Sequence, residues 1–171
     1  PRATLTVRFD RRSTNSAEAF YILCGFPTPG VLPEFTNGGV PFVPFDGQLP
    51  GACRDYVVVD SWGRYSTPEG QWLWVTRDAP LVAVGGPHTW QRITSKPPDT
   101  DRLWTLVFDN FWHTNFVANG NGLMEFQWEL AWAPKFDDPA AVAETLVSDP
   151  LVVVQPGLKE SPELMKSLFT P

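Results

Sequence analysis

Residues 122–132 alternate almost without a break between apolar and polar side chains. Met124, Phe126, Trp128, Leu130 and Trp132 fall on one face, with Glu125, Gln127 and Glu129 on the other. A period of two marks a strand with one buried face. Asn119-Gly120-Asn121-Gly122 just before it supplies the positive-φ residues that a hairpin turn requires. Residues 4–9 alternate in the same way, and residues 11–15 read as a polar turn. Residues 18–24 are apolar on both faces, as in a central sandwich strand. Residues 27–50 read as loop, because Pro27, Pro29, Pro33, Pro41, Pro44 and Pro50 block long ladders. Only a short strand-like run at 40–45 interrupts that loop.

Residues 56–62 predict a strand. The turn Thr67-Pro68-Glu69-Gly70 then leads into another at 71–77, so that 56–77 forms a hairpin. On the second arm Trp72 and Trp74 share one face and Leu73 and Val75 the other, which makes that strand apolar on both sides. Residues 80–84 form a short strand closed by Gly85-Gly86. Residues 88–93 and 102–108 flank a proline-containing loop at 95–101. Helix signals are few. Asp137-Asp138-Pro139 is good N-terminal chemistry for a helix of about three turns. A strand at 151–154 and a second short helix at 161–169, opened by Ser161-Pro162-Glu163, complete the pattern. The prediction is an all-β, two-sheet antiparallel β-sandwich with one or two short C-terminal helices, in a single domain.

Composition agrees. The chain has 171 residues, 43% of them hydrophobic, enough for a real core. Its 18 prolines and 13 glycines suit many short strands joined by turns. A net charge of −6 with no basic patch argues against nucleic acid as a partner. No apolar run is long enough to span a bilayer, so a membrane partner is not expected. Cys24 and Cys53 form a pair that could bridge but no disulfide framework. The start at Pro1 without Met reads as a piece of a longer protein.

Candidate chemistry is sparse. A glycosidase needs two carboxyl groups about 5 to 10 Å apart across a cleft. Glu125 and Glu129 share a strand face, but four residues at about 3.3 Å each put them roughly 13 Å apart. They read instead as a solvated outer face, while a pair formed across strands with Asp109 stays open. Two histidines, His88 and His113, with no close-spaced ligand cluster, predict no metal or other cofactor in this chain. No nucleophile elbow, phosphate loop or dinucleotide fingerprint occurs. Most of the eight tryptophans read as core. Trp112 is the best candidate for a ligand contact, since Asn110, His113, Thr114 and Asn115 surround it in sequence. Donors and acceptors among large rings suit either a sugar-facing surface or a buried hydrogen-bonded corner.

Four blocks together resemble the C-terminal β-domain of glycoside hydrolase family 38, the α-mannosidases. They are Glu18-Ala19-Phe20-Tyr21 with Phe26-Pro27; Gln48-Leu49-Pro50-Gly51 followed by residues 56–62; Thr76-Arg77-Asp78-Ala79-Pro80-Leu81-Val82; and residues 109–116 followed by Met124-Glu125-Phe126-Gln127-Trp128. Order and spacing agree across about residues 1 to 135, and the last block is the most specific. Cys24-Gly25 departs from the small apolar pair of the family, and residues 119–122 replace its common Gln-Gly turn. The resemblance implies that the metal site and nucleophilic Asp belong to a separate N-terminal α/β-barrel domain. That domain of the same parent chain is the expected partner, with carbohydrate as the expected ligand. The parent would hold a divalent, zinc-like metal in the barrel. This chain alone would be non-catalytic, with Asp109, Asn110, Trp112, His113 and Asn115 bordering the parent's sugar site. An autonomous carbohydrate-binding module and a purely structural interaction domain are the competing readings.

Overall fold

The computed structural model describes residues 1–88, 92–110 and 119–148. The strands are β1 (Arg2–Arg11), β2 (Ala19–Gly25), β3 (Glu34–Asn37), β4 (Val40–Phe42), β5 (Val57–Val58), β6 (Trp62–Thr67), β7 (Gly70–Thr76), β8 (Leu81–Val84), β9 (Arg102–Asp109) and β10 (Gly122–Ala133). One helix, α1 (Pro139–Val147), follows them. The strands form a six-stranded sheet, ordered β1-β10-β7-β6-β3-β4, and a four-stranded sheet, ordered β2-β9-β8-β5. All pairings are antiparallel. The fold is the two-sheet β-sandwich that the alternation predicts.

The core lies between the sheets. Phe35, Tyr65, Trp74 and Trp128 come from the large sheet, and Cys24, Val57, Val82, Val84 and Leu103 from the small one. Burying each large apolar side chain stabilises the fold by about 1.5–3 kcal/mol. Gly63 is required here, because a Cβ at that position would lie 2.7 Å from the Phe35 ring. The two-faced apolarity of β7 has a direct structural meaning. Trp74 joins this inner core, whereas Leu73 and Val75 join Trp62, Ala131, Phe136 and Ala143 in a second cluster outside the large sheet. Helix α1 seals that second cluster. Asp138 caps it by accepting from the Ala141 N–H at 2.9 Å, with Pro139 in the first turn.

Several expectations need correction. The stretch 27–50 is not loop outside 40–45, because β3 lies within it and pairs with β4 and β6. Residues 18–24 form no central strand: β2 is an edge strand, and Phe20 and Leu23 are 40% and 46% exposed. The run 56–62 is not one strand. It turns from the small sheet to the large one at Asp60, whose N–H donates to Thr36 O (3.1 Å) and whose carboxylate accepts from Gly39 N (2.8 Å). The observed hairpin is β6–β7, closed at Pro68-Glu69. Glu129 does not share the solvated position of Glu125; it is buried and accepts from the Thr4 hydroxyl at 2.9 Å. Residue 11 is no turn position but the buried end of β1. Cys24 and Cys53 are both free thiols. His88, Arg92 and Ile93 lie outside any strand, and the strand and helix predicted at 151–154 and 161–169 fall outside the described residues.

Candidate functional site

The predicted site begins where β9 ends. Asn110 is buried, and its role there is architectural. Its Oδ1 accepts from Glu18 N at 2.5 Å, its Nδ2 donates to Ser16 O at 2.7 Å, and its own N–H donates to Glu18 O at 3.0 Å. An amide suits this position because it donates and accepts at once; a carboxylate would lose the donor. Asn110 therefore ties the end of β9 to the segment leading into β2. Asp109 pairs with Ala19 across the same strands and is half-buried. Trp112, His113 and Asn115 lie outside the described residues.

A bulge shapes this end. Phe20 pairs with Phe108 but Tyr21 with Leu106, so Val107 is an extra residue on β9. Val107 and Phe108 then both turn toward the opposite sheet. Val107 meets the core, and Phe108 packs near Phe9 and Phe20, with centroids 6.3 and 5.8 Å away. The Arg11 guanidinium sits over the Phe108 ring at 4.2 Å. The same guanidinium donates to Glu18 at 3.3 Å and to the Gly120 carbonyl. Arg11, Glu18 and Asn110 thus fasten β1, β2, β9 and the approach to β10 into one corner.

On the other side of that corner lies a phenol pair. The Tyr21 and Tyr56 hydroxyls are 2.8 Å apart, and both donate to the His88 carbonyl. Burial pushes the Tyr56 phenol well above its ordinary pKa; its contact with Tyr21 and the charges of Asp109 and Asp55 add to this. The phenol stays protonated and serves as a donor. Both phenol hydrogens are committed to His88 O, so the two oxygens offer only acceptor sites, with Asp109 near enough for its charge to act on Tyr56. The sequence offers no signal for this arrangement, since Tyr21, Tyr56 and His88 come from three separate segments.

A broad depression of about 580 Å³ lies elsewhere, on the outer side of the six-stranded sheet. Asp60, Asp78, Glu125, Arg77 and Gln127 contribute to its lining. Each carboxylate there already has structural work. Asp78 accepts from Gln127 N at 2.8 Å, Glu125 pairs with Arg8, and Asp60 holds Gly39 N. Burial opposes ionisation of Asp60, but bonds from Thr36 and the amides of Gly39 and Gly38 hold its carboxyl below the usual range. The Arg8 bond holds Glu125 low in the same way. Among the described residues no group of three or more His, Cys, Asp or Glu is arranged to hold a metal ion. No described helix is long and apolar enough to cross a membrane. No family model, curated protein or solved structure matches the chain.

Proposed function

We propose that this chain is a non-catalytic accessory β-domain of an α-mannosidase-like glycoside hydrolase, packing on the catalytic barrel and bordering its sugar site. The reading starts from the four sequence blocks. The structural observation that carries it is the outer face of the four-stranded sheet. Leu23 and Val58 point outward there and are 46% and 48% exposed. A half-exposed apolar face suits packing against a larger domain. Asp109 and the acceptor oxygens of the phenol pair at one end of this sheet would supply polar groups for a sugar rim. The parent's divalent metal would belong to the barrel.

The test is hydrolysis of an aryl α-mannoside by the parent and by this chain alone, each with and without divalent metal. The parent is expected to hydrolyse the substrate and the isolated chain not to. In the parent, Asp109→Asn is expected to raise KM several-fold with kcat little changed, the pattern of a lost binding contact. Hydrolysis by the isolated chain would overturn the reading.

A further inference from the structure

Four of the nine arginines in this acidic chain meet a carboxylate in the pairs that follow. Arg8 meets Glu125, Arg11 meets Glu18, Arg64 meets Glu34 and Arg102 meets Asp99. Arg54 and Arg92 do not. They line one depression of about 300 Å³ together with Pro50, Gly51, Ala52, Ile93 and Thr94, and no carboxylate residue shares that lining.

The depression is built by two loops clasped together. Residues 49–52 form a tight turn in which Ala52 N donates to Leu49 O at 3.1 Å. Pro50 and Gly51 occupy its centre, and Gly51 has φ +82°, as a type II turn requires. The loop is then tied to residues 93–94 twice: Arg54 Nη1 donates to Thr94 O at 3.0 Å, and Asp55 Oδ1 accepts from Ile93 N at 2.6 Å. The first bond anchors the Arg54 side chain and the second holds the two loops together. The Arg54 Nε–H is buried without a partner, whereas Nη2 is accessible and no described group accepts from it. Arg92 is exposed and makes no hydrogen bond or ion pair among the described residues. Two guanidinium groups around one hollow repel each other until a counter-charge enters. The buried Nε–H is out of reach of an incoming ion, so the fork that can meet two oxygens of a phosphate is Nη2 with the remaining N–H of the anchored Nη1.

We propose that this depression binds a phosphate group, with Arg54 as the fork and Arg92 as the second cation. The inference stands apart from the accessory-domain reading, since it needs only these two loops. The phosphate has two possible sources, the free ion and a phosphorylated sugar, and the test separates them.

Inorganic phosphate is titrated into the 171-residue chain at low salt, followed by calorimetry and by the amide signals of Gly51, Ala52 and Thr94. Saturable binding is expected. Arg92→Gln should weaken it about tenfold, and Arg54→Lys, which keeps the charge but loses the fork, should weaken it several-fold. Arg54→Gln should abolish it, with circular dichroism checking the fold because the bond to Thr94 O is lost. Arg92 is exposed and holds nothing in place, so its variant keeps the test decisive if Arg54→Gln unfolds. A hexose 6-phosphate that binds about tenfold tighter than the free ion, with the neutral hexose inert, would support a sugar-phosphate site. Equal affinity for the two would support a site for the phosphate group alone. No saturable binding, or unchanged binding by Arg92→Gln, would overturn the proposal.

Discussion

The two sheets finish their outer faces differently. Over the large sheet, α1 covers Leu73, Val75 and Ala131, and Leu73 is completely buried. Over the small sheet, Leu23 and Val58 stay half exposed among the described residues. The first face is covered within the chain; the second leaves these two side chains half exposed. The surface that stabilises the fold and the one proposed for packing therefore lie on opposite sides of the sandwich.

The substitutions and measurements that follow probe that division and the fold around it, from larger effects to smaller. Leu73→Asp would put an unpaired charge beneath α1 and should cost about 4 kcal/mol or more in denaturant unfolding. Leu23→Asp, made on the other face, should stay within about 0.5 kcal/mol in the isolated chain. Equal losses from the two would erase the distinction. Next is the corner. Asn110→Ala strands Glu18 N and Ser16 O, and should cost about 1–3 kcal/mol by the same measurement. A smaller loss comes from the helix that makes the first face different. Asp138→Ala removes the cap of α1 and should cost about 1 kcal/mol, read as a lower thermal midpoint.

The last probe is chemical. Burial pushes the Cys24 thiol up to about 11, whereas Cys53 is exposed. A thiol reagent at pH 8 should label Cys53 alone in the folded chain and both thiols after unfolding. Because the folded pKa is the raised one, the neutral thiol favours folding below the unfolded value near 8.5. That contribution fades as pH climbs toward 11. Asp60 runs in the opposite sense. Its depressed pKa lends stability above about pH 4, which is lost as the carboxylate protonates. Asp60→Asn should flatten that acid limb; a limb of unchanged steepness would show that Asp60 is not its source.

Much of the architecture was legible in the chain. The alternation of β10, the two-faced strand β7 and the Asp138-Pro139 helix start each reflect local geometry, and each appears as expected. What the pattern hid was long-range. Residues 18–24 are apolar on both sides in sequence, yet β2 is an edge strand, because exposure depends on neighbours that the run does not contain. The break at Asp60 is invisible for a similar reason: Val57 and Val59 keep facing the core while the backbone changes sheets. The predicted site was legible in part. Asn110 was read as either corner or sugar contact, and its three bonds make it a corner. The Tyr21–Tyr56 pair had no local signature, since 35 residues separate its members.

The pairing of β1 with β10 has a consequence for the chain as it is made. Arg2 lies opposite Ala131 and Arg11 opposite Gly122, so among the described residues β1 pairs only with a strand near the far end of the fold. On a ribosome, β1 emerges before β10 and waits while about 120 further residues are added, which takes several seconds or more at typical synthesis rates. During that interval its edges are open to any other extended segment. The charges at Arg2, Arg8, Asp10 and Arg11 then act as guards, keeping a strand without its partner from pairing with a neighbouring nascent chain.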